Sequence, residues 1–377
     1  MNYGEEALTK HRTLKGKIAI ALKDTLDTPA KLSTYYTPGV AAVSSYVAEH
    51  PFEARDYTWL NNSVAVISDG SAVLGLGNIG PLGALPVMEG KAMLFKHFAN
   101  IDAVPIVLSV HTPDEVVAAI KAIAPSFGGI NLEDFAAPQC FEIEERLKAD
   151  LDMPVMHDDQ HGTAIVVLAG LINACKVTRR QLKRCKIVIV GAGAAGTAVT
   201  KLLYQYAQPE IIVVDSRGIV GRQRSDLNDE KRQLLAITNP KHKTGSIEDA
   251  MKGADIFIGV SKANLLPSEL VKTMAKQPII FAMANPLPEI MPDQAKAAGA
   301  AIVATGRSDF PNQVNNALAF PGVFRGALDN HVTKITDEHK IAAAEAIAAL
   351  VKKPKPDVII PSVLNKRLVP AIAQVIT

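Results

Sequence analysis

Cysteine and aromatic residues are scarce in this sequence, as is excess charge of either sign, and the scarcity of cysteine and of net charge each argues against a class of protein. The three cysteines, Cys140, Cys175 and Cys185, are odd in number and form no CxxC pair, which argues against a disulfide framework or a thiolate zinc site. Aromatic residues make up 5% of the chain. The formal net charge is +2, so no strong electrostatic field favours binding to nucleic acid or to an anionic membrane.

Long apolar runs are also missing. No stretch of about 18 uncharged apolar residues occurs, which is the length needed to span a bilayer. Residues 1–12 mix Glu, Lys, His and Arg and contain no apolar core of the kind found in a signal peptide. We therefore expect a soluble, cytoplasmic protein with no membrane or nucleic-acid partner.

The residues that are abundant indicate an α/β protein. Aliphatic residues and alanine dominate the 48% hydrophobic content, as in helices packed on a buried parallel sheet. The 377 residues exceed the usual size of one domain, about 100 to 200 residues. Two domains are expected, 1–158 and 159–377, bridged by a helix over about 162–176.

Strand and helix patterns alternate on both sides of this boundary. In the first half, two β-branched runs joined by Asp-Gly-Ser predict a hairpin over 64–77. After residue 186, short buried strands separated by helices predict a doubly wound parallel sheet. Further strands are expected at 103–110, 129–132, 187–190, 211–214, 256–260, 279–282 and 301–304. A long helix is expected after the loop at 77–81, running through 91–98, and further helices are expected at 113–123, 140–149, 338–351 and 362–376.

A glycine-rich segment is the strongest local signal. An apolar strand precedes Gly191-Ala192-Gly193-Ala194-Ala195-Gly196 and an alanine-rich helix follows. This context predicts a dinucleotide site in which Gly191 makes the turn, Gly193 admits the pyrophosphate and Gly196 allows close packing. A glycine turn without a ligand is the alternative.

Asp215 ends the next strand, where it can accept hydrogen bonds from ribose hydroxyls, and this favours NAD. Three arginines just downstream could instead pair with the 2′-phosphate of NADP. An ordinary solvated surface charge is the alternative for each of them. They are Arg217, Arg222 and Arg224.

Two acidic pairs follow short strands. Glu133-Asp134 comes after 129–132, and Asp158-Asp159 comes after 153–156, so the carboxylates can converge where α/β active sites form. An all-oxygen cluster suits Mg²⁺ or Mn²⁺, whereas helix-start chemistry is the alternative for each pair. Successive side chains leaving a strand end point apart, so Asp158 and Asp159 can face different partners. Hard cations do not need imidazole ligands, so His157 and His161 are interpreted either as residues that support the ligands from behind or as structural.

Lys91 and Tyr36 are candidates for proton transfer. Lys91 lies in an otherwise apolar helical stretch, where it either snorkels or is buried, and burial lowers a lysine pKa towards that of a base. Tyr36 precedes a Pro-Gly turn that could hold its phenol rigidly, but a core tyrosine would have the same pattern.

Taken together, these segments resemble malic enzymes of the short bacterial type. The resemblance runs from about Gly16 to the C-terminus in unbroken order. The chain differs from larger members of the family at Ser71-Ala72-Val73, where those members have an arginine that holds malate. The shared segments are YTPGVA (36–41), DG (69–70), GLGNIG (75–80), EGK (89–91), NLEDF (131–135), HDDQHGTA (157–164), ANP (284–286), QVNN (313–316) and FPGV (320–323).

The resemblance implies an N-terminal malic enzyme domain, a Rossmann-type NAD(P)-binding domain and C-terminal helices. It implies oxidative decarboxylation of (S)-malate through oxaloacetate to pyruvate and CO₂, with NAD or NADP and a divalent metal, in a homodimer or a dimer of dimers. A soluble oxaloacetate decarboxylase and a non-catalytic dinucleotide sensor are the alternatives. The implied roles are Lys91 as base, Tyr36 as acid, Asp158 as the neighbour that orients Lys91, Glu133, Asp134 and Asp159 as metal ligands, and Asn285, Asn315 and Asn316 as contacts to malate or nicotinamide.

Overall fold

A four-stranded parallel sheet organises the N-terminal half of the chain. The computed structural model describes residues 3–73 and 75–377. The strand order is β2-β1-β3-β4, with β1 (Ser63–Ser68), β2 (Asp102–Val107), β3 (Gly129–Leu132) and β4 (Val155–His157). The helices of this half are α1 (Tyr3–Leu14), α2 (Pro29–Tyr35), α3 (Val40–Glu49), α4 (Ala54–Tyr57), α5 (Gly80–Ala99), α6 (Pro113–Ile123) and α7 (Gln139–Asp150).

Strand β1 shows why this sheet is buried on both faces. Alternate residues of a strand point to opposite faces. Val64 and Val66 pack with Phe95 on the α5 side, whereas Ala65 and Ile67 belong to the core that α6 and α7 cover. Two helical layers therefore enclose the sheet, and its loops at the carboxyl ends of the strands remain available for a site.

The hairpin predicted over 64–77 is wrong. Strand β1 pairs in parallel with β2 and β3, and the only antiparallel pairing in the described part of this segment is an isolated bridge between Val73 and Gly77. Asp69 accepts hydrogen bonds from the backbone and hydroxyl of Ser71, and this turn leads the chain towards α5. Burial of β1 between two strands outweighed the local turn signal.

A six-stranded sheet organises the C-terminal half, as the sequence predicts. Its order is β10-β9-β8-β5-β6-β7, and every pairing is parallel except that of the short β7 with β6. The strands are β5 (Lys186–Val190), β6 (Glu210–Asp215), β7 (Gly218–Ile219), β8 (Ile256–Gly259), β9 (Ile279–Ala282) and β10 (Ile302–Thr305). The helices are α9 (Ala194–Ala207), α10 (Asp229–Leu234), α11 (Ile247–Met251), α12 (Ser268–Lys272), α13 (Pro292–Ala297), α14 (Phe320–Asp329), α15 (Asp337–Ala349) and α16 (Leu368–Ala373).

The order of this sheet places a crevice beside β5. Successive strands run outward from β5 in both directions, so β5 and β8 flank the point where the strand order reverses. Ligands of open α/β sheets bind at the carboxyl ends of strands at such a point. The glycine-rich segment directly after β5 lies there.

Helix α8 (Asp158–Thr178) bridges the two halves. It begins four residues before the predicted start, because His157 is already extended at the N-cap position. Most of its length is buried between the N-terminal sheet, α9 and α15. Its length and composition would suffice to cross a membrane, but 67% of its apolar window is buried inside the protein, as in the core helix of a folded domain.

The tail helices agree only in part with the sequence prediction. Helix α15 covers 337–349, close to the predicted 338–351, but the predicted helix over 362–376 is reduced to the six residues of α16. Turns occupy the segment before it, since Leu364 and Arg367 donate backbone hydrogen bonds to the side chains of Ser362 and Asn365. Such short polar side chains compete with helical hydrogen bonding.

The first three helices leave a large apolar surface uncovered. None of α1, α2 and α3 contains a buried residue. Several large apolar side chains of these helices and of Tyr36 are exposed instead. These side chains are Tyr3, Leu8, Leu14, Leu32, Tyr35, Tyr36, Val40, Val43 and Tyr46.

Candidate active site

A buried lysine surrounded by carboxylates lies between the two halves. The Lys91 ammonium of α5 is 2.5 Å from Asp158 Oδ2 and 2.9 Å from Glu133 Oε1. It also lies 4.7 Å from the centroid of the Phe320 ring. The Lys91 residue is 8% exposed and Asp158 is fully buried, so snorkelling of Lys91 is excluded.

The expectation that burial lowers the Lys91 pKa is wrong for this arrangement. Burial does oppose the charged form, but the negative charges of Asp158 and Glu133 outweigh it, and the pKa of Lys91 lies above its ordinary value. Lys91 is therefore held as an ammonium by its neighbours. Positive charge placed beside those carboxylates would weaken this hold and free Lys91 to act as a base.

Three carboxylates meet beside Lys91, as the sequence predicts. Glu133, Asp134 and Asp159 each bring one oxygen within 4.8 Å of the others. Burial first, and then the charge of Asp159, raise the pKa of Glu133, because like charges repel strongly in a buried medium that screens poorly. Because hard divalent cations prefer several carboxylate oxygens, the donor set fits Mg²⁺ or Mn²⁺.

The side chains of Asp158 and Asp159 point in different directions, as expected, but helix geometry rather than strand geometry is the cause. Both residues belong to the first turn of α8 rather than to a strand end, and successive helical side chains diverge by about 100°. Asp158 thus faces Lys91, while Asp159 Oδ2 accepts the backbone N–H of Asp134 at 2.8 Å. The helix-start interpretation also holds, since the helix dipole favours acids there.

Tyr36 stands apart from this cluster. It follows the last residue of α2, and it is 67% exposed, so the alternative of a core tyrosine is wrong. Within the part of the chain that the structure describes, its hydroxyl forms no hydrogen bond. The chain alone therefore gives the Tyr36 phenol no partner at the acid cluster.

The glycine-rich turn has the geometry of a phosphate cradle. Gly191 has φ +116°, and an added Cβ would lie 2.6 Å from the Val260 carbonyl oxygen. At Gly196 an added Cβ would lie 1.7 Å from the Gly191 carbonyl oxygen, whereas at Gly193 it would meet nothing within 4 Å. Gly191 and Gly196 are required by packing, and Gly193 leaves open space in front of the α9 N-terminus, where backbone N–H groups favour an anion.

Asp215 ends β6 as predicted, but its carboxylate is already engaged. Arg224 donates to both of its oxygens at 2.7 and 3.1 Å, and Lys231 Nζ lies 2.7 Å away. Burial opposes the charge of Asp215, but these donors hold its pKa below the usual value. Arg217 and Arg224 also bind Asp226.

Asn285 lies on a loop after β9, whereas Asn315 and Asn316 lie at the start of a short 3₁₀ helix, Asn316–Leu318. The Asn285 carbonyl oxygen would be 2.5 Å from a Cβ on Gly75, so a loop of the N-terminal half closely approaches the cofactor half. Asn316 packs beside Gly162 of α8. Asn315 accepts the backbone N–H of Ala317 at 2.9 Å, which leaves its amide N–H₂ group for other partners.

Sequence reasoning missed one buried acid near this site, Glu144 of α7. The apolar spacing of Cys140, Ile143 and Leu147 places Glu144 on the buried side of the helix. A charged residue among these apolar positions was the feature of the sequence that could have revealed it. The interpretation of His157 and His161 as supporting or structural residues stays a prediction. His161 Nε2 binds Glu144 at 2.8 Å, and His157 Nε2 lies 3.6 Å from Asp159.

A doubly wound sheet with this glycine turn, facing a buried lysine and several carboxylates, defines the class of dinucleotide-dependent α/β oxidoreductases. The sequence matches the malic enzyme N-terminal domain over 15–114 and 111–148 and the malic enzyme NAD-binding domain over 160–375. The chain therefore belongs to the malic enzyme family, and the predicted fold class is confirmed.

Known proteins similar to this chain cover almost its whole length. It is 52% identical to the bifunctional malic/malolactic enzyme of Bacillus subtilis, covering 100% of this chain and 92% of that protein. It is 50% identical to the NAD-dependent malic enzyme of Geobacillus stearothermophilus, covering 100% and 78%. A crystal structure of the NAD-dependent malic enzyme of Thermotoga maritima has 49% identity, a TM-score of 0.95 and 98% coverage of both chains.

Proposed function

We propose that the protein catalyses the oxidative decarboxylation of (S)-malate to pyruvate and CO₂, with reduction of a nicotinamide dinucleotide. The observation that carries this proposal is the buried Lys91, held between Asp158 and Glu133 at the crevice between the two halves. Family membership supplies the substrate class, since the relatives are named malic enzymes.

Each protein group has one task in the reaction. Lys91 takes the proton from the C2 hydroxyl, and a bound dinucleotide would accept the hydride from C2, which gives oxaloacetate. Loss of C4 as CO₂ leaves the enolate of pyruvate, and Tyr36 donates a proton to its C3 carbon. Asp158 orients the Lys91 ammonium, and positioned acid and base groups of this kind contribute about 10²- to 10⁴-fold each.

Glu133, Asp134 and Asp159 are the proposed ligands of Mg²⁺ or Mn²⁺. When bound, the ion supplies positive charge next to the C2 oxygen and offsets the charge of the surrounding acids. Asn285, Asn315 and Asn316 are proposed to contact malate or the nicotinamide half. The loop from Ser71 to Val73 provides no arginine, so asparagine amides and backbone N–H groups are the proposed carboxylate donors.

NAD is the proposed cofactor, held by residues 191–196. Asp215 is the proposed acceptor for the ribose hydroxyls, which would replace donors that it now binds. The cations Arg217, Arg224 and Lys231 are all bound to Asp215 or Asp226. A 2′-phosphate would have to displace these pairs and would approach two carboxylates. Arg222 is exposed and takes no part in the ion pairs with Asp215 and Asp226.

The direct test of the function is a steady-state assay of malate with NAD or NADP, in Mn²⁺ or in EDTA. We expect NAD-dependent release of pyruvate and CO₂ in Mn²⁺, a higher kcat/KM with NAD than with NADP, and loss of turnover in EDTA. Decarboxylation of oxaloacetate without malate oxidation would instead identify an oxaloacetate decarboxylase. Binding of NAD without binding of Mn²⁺ or malate would identify a dinucleotide sensor.

A second copy of this chain is the proposed cover of the apolar face of α1, α2 and α3. The malic enzyme family supports a homodimer, or a dimer of two such dimers, and an isologous contact buries the same face on both subunits. Tyr36 lies on this face, 67% exposed. We propose that it reaches the acid cluster of the neighbouring subunit.

Subunit complementation tests this arrangement. Tyr36→Phe and Lys91→Ala, each inactive alone, should regain activity when coexpressed, because a mixed dimer contains one site with both residues intact. Random pairing gives roughly a quarter of the wild-type activity. Activity of the mixture no higher than that of either variant would show that Tyr36 serves its own subunit.

The remaining proposals concern the chain as a whole. The division into domains at residues 158 and 159 falls at the start of α8, where the two sheets are joined. A cytoplasmic location is proposed from the reduced state expected of Cys140, Cys175 and Cys185, which are free and buried.

A further inference from the structure

Glu144 is a buried carboxylate that the proposed reaction does not use. It lies on α7, its side chain is 6% exposed, and both of its oxygens are occupied. Oε1 accepts the backbone N–H of His157 at 2.9 Å and lies 2.6 Å from Lys148 Nζ. Oε2 accepts from Gln160 Nε2 at 3.2 Å and lies 2.8 Å from His161 Nε2.

Three of these four partners belong to the N-cap or the first turn of α8. The first N–H groups of a helix have no partner within the helix, and α8 has no side-chain cap of its own at His157. Glu144 takes that role from a different helix. It thereby fixes the segment that carries Asp158 and Asp159 against α7 of the N-terminal half.

We propose that Glu144 is a positioning residue: by holding His157, Gln160 and His161, it places Asp159 beside Glu133 and Asp134 and Asp158 beside Lys91. The inference rests on the proposed function of these acids as ligands and base partner. Glu144 itself touches neither metal nor substrate.

The charge of Glu144 suits this task. Burial alone would raise its pKa, but the neighbouring His161 and Lys148 hold the pKa well below the usual value. Its oxygens lie 2.6 Å from the Lys148 ammonium and 2.8 Å from His161 Nε2, surroundings that suit an ionised carboxylate. An ionised carboxylate accepts hydrogen bonds at both of its oxygens. A glutamine at position 144 would replace one oxygen by an N–H₂ group, which donates and would therefore face groups that also donate.

The test compares Glu144→Gln with Glu145→Gln in the full-length protein. Both variants remove one carboxylate from α7 at adjacent positions, but Glu145 is exposed. We expect Glu144→Gln to weaken Mn²⁺ binding, measured by titration calorimetry without malate, by about 10- to 100-fold, the range for residues that orient metal ligands. The Kd for NAD should stay within about twofold, and Glu145→Gln should match wild type in both.

A purely structural role would lower the unfolding temperature and leave the Mn²⁺ Kd, measured well below that temperature, unchanged. That outcome overturns the inference. If Glu144→Gln does not fold, Gln160→Met removes a single donor to Glu144 and should still weaken Mn²⁺ binding by about threefold or more, whereas a wild-type Kd overturns the inference. Failure of the wild-type protein to bind Mn²⁺ would instead contradict the proposed function.

Discussion

Replacement of Lys91 by alanine should lower kcat for malate oxidation by about 10³-fold, because it removes the group that takes the C2 hydroxyl proton. The Kd for NAD should remain near the wild-type value, since the glycine turn at Gly191 lies in the other half of the crevice. Steady-state kinetics and fluorescence titration of NAD measure the two effects. Unchanged malate turnover would contradict the role of Lys91.

Two control variants separate proton transfer from charge. Lys91→Arg keeps a positive charge between Asp158 and Glu133 but cannot deprotonate in a protein, so it should remain folded and be as inactive as the alanine variant. Lys96→Ala removes an exposed lysine from the same helix, where it pairs with Asp102, and should retain wild-type kcat.

Asp159→Asn should weaken Mn²⁺ binding by on the order of 100-fold, because the affinity of an oxygen site follows its number of charged ligands. The asparagine can still accept the backbone N–H of Asp134, so the local fold should persist. Calorimetric titration with Mn²⁺ in the absence of malate measures the effect independently of turnover.

Asp150→Asn is the matched control for this ligand variant. Asp150 is an exposed aspartate at the end of α7 that pairs with Lys121 at 2.7 Å. Its replacement removes the same charge from the protein and should leave the Mn²⁺ Kd unchanged. Equal effects of the two substitutions would show that overall charge, rather than coordination by Asp159, sets the affinity.

Features that local chemistry determines could be predicted from the sequence. The glycine-rich turn is one of them, because the backbone angles of Gly191 and the close packing at Gly196 tolerate no other residue type. The strand at 129–132 and the helix at 113–123 were predicted to the residue. The convergence of Glu133, Asp134 and Asp159 followed from the rule that parallel strands end at one edge of a sheet.

Features that depend on distant neighbours could not be predicted. The segment after β1 has the local sequence of a hairpin, but the pairing of β1 with β2 and β3 determines its course. The sign of the Lys91 pKa shift depends on how close Asp158 and Glu133 lie, which no spacing in the chain reveals. The role of Glu144 was missed for the same reason, since its partners in the N-cap and first turn of α8 lie thirteen or more residues away, beginning at His157.

Helix α8 has a consequence for how the crevice can open. The helix packs against α9 and α15 of the cofactor half, while its first turn, which carries Asp158 and Asp159, is tied to α7 of the N-terminal half through Glu144. One continuous helix is therefore anchored in both halves. A rotation that opens the crevice must bend α8 or break its contacts with one half, and the acid cluster keeps its geometry only while the first turn stays with α7.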